Sequence, residues 1–154
     1  MKIFTDGSCY YKSRAGGLGV YILKDDGSEV FISEGYQPTT ISRMEGFALL
    51  RALQTLPSLF EERVDLYSDS EYVIKTFTEG RHIRWQMMNF IGVANEDMWR
   101  KIFREMSRIQ YTIHFHHIKG HQKDITDELV FGNNMADLLS NYKNFKTYKN
   151  DKEL

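Results

Sequence analysis

Val64-Asp65-Leu66-Tyr67-Ser68-Asp69-Ser70 decides how the chain is read. It is a short strand ending on an acidic residue between two serines, and it follows a segment of different period. Over residues 42–56, Met44, Phe47, Ala48, Ala52, Leu53 and Leu56 recur at helical spacing, and Pro57 stops the run. A strand reached through a helix implies a crossover, and so a sheet with parallel pairs.

Upstream, residues 1–36 read as three strands. Ile3-Phe4-Thr5 runs into Asp6-Gly7-Ser8, Gly17 to Leu23 is a second strand and Val30-Phe31-Ile32 a third. Asp25-Asp26-Gly27-Ser28 is a hairpin turn between the last two. Downstream, a helix is predicted after Ser68-Asp69-Ser70 through about residue 79, an amphipathic helix over 95–108, and a strand in which Tyr111, Ile113 and Phe115 alternate with polar residues. A long loop from Lys119 then leads to a last helix starting near Asn133. The order, βββαβα(α)αβα, predicts an α/β domain. Its five-stranded mixed sheet has three antiparallel strands, then two parallel to the first, flanked by helices. The domain is expected to span residues 1–143, with residues 144–154, rich in Lys, Asn and Tyr, fraying as a tail.

A hydrophobic share of 42% over 154 residues is enough for one buried core, and no apolar run approaches the ~20 residues that span a bilayer. An acidic residue at position 6 argues against a signal peptide. One cysteine, Cys9, excludes an internal disulfide and suits a reducing cytoplasm. The net charge of -1 neither predicts nor forbids a phosphate-tracking surface, but confines its basic residues to a local patch.

Four carboxylates stand at the ends or first turns of four different predicted elements: Asp6, Glu45, Asp69 and Asp137. Each has a local explanation. Asp6 precedes Gly7 as turn residues do; Asp69 stands where a helix cap is preferred. Ser42-Arg43-Met44-Glu45 fits a capping box, and Asp137 suits the macrodipole of a helix's opening turns. The conjunction carries more. If the strands ending at Asp6 and Asp69 are parallel neighbours, both carboxylates emerge at one sheet edge, where α/β proteins bind ligands. Carboxylates converging there without Lys or Arg repel one another unless a divalent cation neutralises them. Mg²⁺, which favours oxygen ligands and completes its shell with phosphate oxygens, is the ion expected.

Thr5-Asp6-Gly7-Ser8-Cys9, Arg43-Met44-Glu45, Ser68-Asp69-Ser70-Glu71-Tyr72-Val73, Lys119-Gly120-His121 and Asn133-Asn134-Met135-Ala136-Asp137 occur in the order seen in type 1 ribonuclease H. The chain resembles that family over about residues 1–143. The resemblance implies a ribonuclease H-like fold. It also implies an enzyme that cuts the RNA strand of an RNA–DNA hybrid, with two Mg²⁺ ions per site and Mn²⁺ as a substitute. By the same resemblance, Asp6 bridges both metals, Asp69 and Asp137 complete their ligands, and Glu45 also contacts the substrate ribose. His121 shuttles a proton or helps product leave. Gly7, Ser8 and Cys9 match the backbone strip that meets the hybrid's minor groove, and Thr40 and Arg43 match a phosphate pocket for the DNA strand. A monomer is expected.

The chain also departs from the family. Ile41-Ser42 replaces two Asn, leaving Ser42 as the expected helix cap, and Tyr10-Tyr11-Lys12-Ser13-Arg14 lacks the usual Gly/Asn/Pro pattern, with Lys12 and Arg14 offering phosphate contacts instead. Residues 85–94, Trp-Gln-Met-Met-Asn-Phe-Ile-Gly-Val-Ala, replace a lysine-rich substrate handle. Packing onto the neighbouring helix is the simpler account; a Met/aromatic patch that docks a partner protein is the alternative. His114 and His116 share a strand face, yet two His fall short of a tetrahedral zinc set. Two rival readings stand beside the leading one: an idle nucleic-acid-binding module on the same fold, and a different nuclease or strand-transfer enzyme of the superfold.

Overall fold

The computed structural model describes residues 1–154. Five strands form one sheet: β1 (Lys2–Tyr10), β2 (Ala15–Leu23), β3 (Glu29–Tyr36), β4 (Val64–Ser68) and β5 (Ile113–His117). Its order is β3-β2-β1-β4-β5, antiparallel from β3 to β1 and parallel from β1 through β4 to β5. This is the mixed sheet expected. The turn over residues 25–28 joins β2 to β3, with Gly27 in the left-handed region at φ 86°.

Five helices complete the domain: α1 (Ile41–Gln54), α2 (Glu71–Thr78), α3 (Arg81–Met87), α4 (Glu96–Arg108) and α5 (Glu128–Ser140). The principal core lies between the sheet and α1, α2 and α4; Ile3, Leu18, Val20, Phe47, Leu50, Leu66, Trp99 and Ile102 are buried there. A smaller cluster of Phe4, Tyr21 and Ala136 seals α5 onto the opposite face. Gly132 allows this approach, since a side chain there would collide with the Phe4 ring.

Two boundaries differ from expectation. The last helix begins at Glu128, capped by Asp127, whose Oδ1 accepts from the Leu129 N–H at 2.8 Å. Asp137 is therefore in its third turn, where an N-terminal dipole has no reach. The C-terminal segment does not fray. Lys149 bridges to Tyr36 along the β3 edge, and Phe145 covers Gly17 and Gly35, a directly paired couple on β2 and β3. Asp151, 4% exposed, receives Thr39 Oγ1 at 2.8 Å and Arg43 Nε at 2.7 Å. The Lys/Asn-rich composition hid two anchors, one aromatic and one ionic. Both depend on partners more than 100 residues away in sequence.

Candidate metal centre

Asp6 is no turn residue. β1 continues past it to Tyr10, and Asp6 pairs with Gly19 in the middle of the β1–β2 ladder. On its other side, β1 and β4 are in parallel register through Phe4 and Tyr67. Two residues further along both chains stand Asp6 and Asp69, where β4 has ended and α2 is about to start. Two carboxylates side by side at the carboxyl end of a central parallel pair thus follow from register alone.

Glu45 arrives from the other layer. It lies in the first turns of α1, and α1 can approach because residue 7 is glycine: a methyl there would come within 2.6 Å of the Met44 carbonyl carbon. The predicted capping box does not form. Thr40 is the N-cap, its hydroxyl accepting from the Arg43 N–H at 3.2 Å, while Glu45 Oε2 accepts from Ser70 Oγ at 2.7 Å. The same Ser70 hydroxyl accepts from the Val73 N–H at 3.2 Å and caps α2. So Ser70, not Asp69, is the cap, and the Asp69 side chain is left for other work.

Carboxylate oxygens of Asp6, Glu45 and Asp69 lie within 4.8 Å of one another. Asp137, exposed on α5, is near enough to Asp6 to help raise its carboxyl, but it is not one of the three residues whose oxygens gather within that distance. Ion pairs elsewhere in the molecule involve none of these four residues. Asp6 is 6% exposed, and burial together with the Asp69 charge pushes its carboxyl up to about 8, against one hydrogen bond from the Gly7 N–H at 2.8 Å. Burial also raises Glu45, with Asp69 adding to the effect and the Ser70 hydrogen bond opposing it. Carboxylate oxygens of like charge, buried at Asp6 and partly buried at Glu45 and Asp69, close together and unpaired with any cationic side chain, fit a hard divalent cation.

The Lys119-Gly120-His121 loop closes on the same place. A side chain at Gly120 would collide with the Asp69 carboxylate, so glycine lets the loop pass against it. His121 follows, exposed and left-handed at φ 56°.

Of the residues matched to substrate contacts, Gly7, Ser8 and Cys9 continue along β1 from Asp6. Ser8 Oγ donates to the Ser140 carbonyl at 2.6 Å and accepts from the Tyr142 N–H at 3.0 Å, which ties β1 to the end of α5. Arg43 is no solvated side chain. Its guanidinium is held by Asp151 through Nε at 2.7 Å and by Asp97 through Nη1 at 2.9 Å and Nη2 at 2.8 Å. Those bonds hold Asp97 down to about 2. Arg14, by contrast, spends only Nε, at 3.4 Å from the Thr39 carbonyl, and is exposed in a loop at φ 58°. Sequence reasoning named Arg14 only as an alternative; nothing local in residues 40–45 announces that Arg43 is already paired.

The segment 85–94 divides. Phe90 packs on Phe103 with the Arg100 guanidinium over its ring at 4.4 Å, and Trp85 leans on Trp99. Met87 and Ile91 stay 83% and 75% exposed. His116 is used locally, its Nε2 at 2.7 Å from Asp65 Oδ1 and its ring stacked on Tyr67, and no His joins the metal-competent cluster. No helix is long and apolar enough to cross a membrane.

Comparison with known proteins places this geometry in a family. The sequence model of the RNase H family matches residues 1–144. Ribonuclease HI of Vibrio parahaemolyticus is 37% identical over 138 residues, covering 84% of this chain and 86% of that protein. Ribonuclease H of Chlorobium luteolum is 38% identical over 125 residues, 77% of this chain and 82% of its own. Among solved structures, LC11-RNase H1 in complex with an RNA/DNA hybrid has the same fold. It superposes with a TM-score of 0.65 at 23% identity, covering 90% of this chain and 92% of that one.

Proposed function

The chain belongs to the ribonuclease H family, and on that premise we propose that it hydrolyses the RNA strand of RNA–DNA hybrids in a divalent-metal-dependent reaction, leaving 5′-phosphate and 3′-hydroxyl ends. The observation that carries the reading is the gathering of Asp6, Glu45 and Asp69 within 4.8 Å, with no cationic side chain to neutralise them. Two Mg²⁺ ions, or Mn²⁺ in their place, supply the activation of an attacking water and the stabilisation of the leaving 3′-oxygen.

The chain's own residues do the rest. Asp6, Asp69 and Asp137 would hold the ions, with Asp6 shared between them. Glu45, aimed by Ser70, orients the ribose 2′-hydroxyl, which is the group that distinguishes RNA from DNA. His121 exchanges a proton at its ring nitrogen near the scissile phosphate, a task suited to an imidazole, which can both donate and accept. The β1 backbone at Gly7, Ser8 and Cys9 lines the minor groove. At the phosphate contact beyond Thr40, Arg14 provides the charge, while Arg43 braces the start of α1 through Asp97 and Asp151.

The test uses labelled hybrid, duplex RNA and duplex DNA, each with Mg²⁺, Mn²⁺ or EDTA. Cleavage confined to the RNA strand of the hybrid, abolished by EDTA and by Asp6→Asn, is the expected result. Intact hybrid with the unaltered protein, or full activity in Asp6→Asn, would overturn the proposal.

A further inference from the structure

Two buried side-chain polar atoms in the whole chain lack a hydrogen-bond partner, Thr5 Oγ1 and Asn133 Oδ1. Thr5 shares the face of β1 that bears Ile3 and Gly7, towards α1. Asn133 is on α5, on the opposite side of the sheet, and is only 3% exposed. Leaving a buried amide oxygen unsatisfied costs about 1–3 kcal/mol, so the residue demands an account. An apolar side chain of similar size would fill the same space without that cost.

Its position supplies the account. Asn133 is four residues before Asp137, so the two side chains lie on one stripe of α5, one turn apart. The neighbouring stripe faces the sheet: Gly132 rests on Phe4 and Ala136 packs with Phe4 and Tyr21, which buries Asn133 beside it while Asp137 stays exposed at the edge. Asp137 ends the stripe on the side of Asp6, whose carboxyl its charge helps to raise. A neutral acceptor thus sits one helical turn below a carboxylate pair suited to a divalent cation. Metal–oxygen bonds of ~2.1 Å and a hydrogen bond of ~2.8 Å from a coordinated water together span ~5 Å. That is about the spacing between i and i+4 side chains on a helix.

We infer that Asn133 is a positioning residue of the metal centre, its side-chain oxygen accepting a hydrogen bond from a water in the coordination shell of the cation held between Asp6 and Asp137. The inference rests on the metal-dependent reading above and adds a residue that acts on the ion through its hydration. Asn suits the task because it is uncharged: a fourth buried carboxylate would add repulsion when the site is empty, while an amide oxygen still attracts a polarised water.

The test is Mn²⁺ binding, followed by calorimetry and by thermal shift with and without EDTA. Asn133→Leu, close in shape and without polar atoms, is expected to melt in EDTA no lower than the unaltered protein. It should bind Mn²⁺ roughly tenfold or more weakly, the usual consequence of losing an outer-shell partner. Asn133→Asp, which keeps an acceptor in the same place, is expected to retain most of the affinity and shows the side chain's polarity, not its bulk, to matter. Should Asn133→Leu destabilise the metal-free fold, Asn133→Ala against Asn133→Asp gives the same comparison. Equal Mn²⁺ affinity in Asn133→Leu or Asn133→Ala and the unaltered protein, with hybrid cleavage normal, would overturn this inference alone. Failure of the unaltered chain to bind Mn²⁺ would overturn it together with the functional reading.

Discussion

Ser70 Oγ donates to Glu45 Oε2 at 2.7 Å while it accepts the Val73 N–H at 3.2 Å, so one hydroxyl both starts α2 and aims a carboxylate that belongs to α1. Ser70→Ala is therefore expected to lose about 1 kcal/mol of helix-cap stability. It should also weaken Mg²⁺ affinity or activity by roughly tenfold or more, because Glu45 loses the group that orients it. Ser70→Asp separates the two roles: it restores the cap, hence the melting temperature, but sets a further charge against Glu45 and does not restore activity. Thermal melts beside Mg²⁺-dependence curves read both.

Gly120 meets the Asp69 carboxylate so closely that a methyl group cannot be added without moving it. Gly120→Ala changes little in the core, as the residue lies on an exposed loop. A carboxylate displaced by about 1 Å costs on the order of 10²-fold in rate. The expected signature is a large fall in kcat with a melting temperature within a few degrees of the unaltered protein; equal losses in both would refute it.

Asp6 gives the protein an unusual stability profile without metal. Its folded carboxyl is pushed up to about 8, from an ordinary value of 3.8, by burial and by Asp69. Between those two values the folded state holds a proton that the unfolded chain has released, so stability falls as pH rises through the window and levels off above it. Asp6→Asn removes the dependence and is expected to raise the metal-free melting temperature at pH 7–8. Saturating Mg²⁺ should reverse the order, since a cation binds the deprotonated site of the unaltered protein and stabilises it by mass action. Melting curves from pH 5 to 9, in EDTA and in Mg²⁺, test both signs.

Asp151 is buried against Arg43 and Thr39, and breaking a buried, charged hydrogen-bond pair typically costs ~2–3 kcal/mol. Asp151→Asn is expected to lower the melting temperature by about 5–10 °C, given some 2–4 °C per kcal/mol in a domain of this size. Removing residues 145–154 should cost more, as Phe145 also leaves the Gly17/Gly35 surface. A truncated chain as stable as the whole would show the segment to be dispensable.

Hybrid binding is expected to respond only weakly to salt, because the chain carries no basic excess at a net charge of -1 and Arg43 is already neutralised. Arg14→Gln should reduce the slope of log affinity against log salt by about one, as the loss of one phosphate contact does. Arg43→Gln should leave the slope and lower the melting temperature instead. The reverse pattern would return the phosphate contact to Arg43.

How much of this was legible in the sequence varies with the range of the interaction concerned. Strand and helix types followed from periodicities of two and 3.6, which are written in nearest neighbours, and the mixed character of the sheet from crossover logic. The acidic residues at positions 6, 45, 69 and 137 were legible as a set, although the local position or cap assigned to each of them, Asp69 included, differs from the one it takes in the structure. Asp6 looked like a turn, Glu45 like half of a capping box and Asp137 like a helix start. Each of those readings uses only the flanking residues, and each gave way to a contact from another layer.

By itself, then, the sequence determined the element order, the mixed sheet and the choice of carboxylates, because hydrophobic period and residue chemistry are properties of short stretches. The tertiary structure alone decided that Ser70 aims Glu45, that Asp151 neutralises Arg43, and that Asn133, one helical turn from Asp137, is buried with its oxygen unpaired. Those facts join residues 25 and 108 positions apart, or depend on which face of a helix meets the sheet. Burial and charge pairing are set by the packed layers, and no local window contains them.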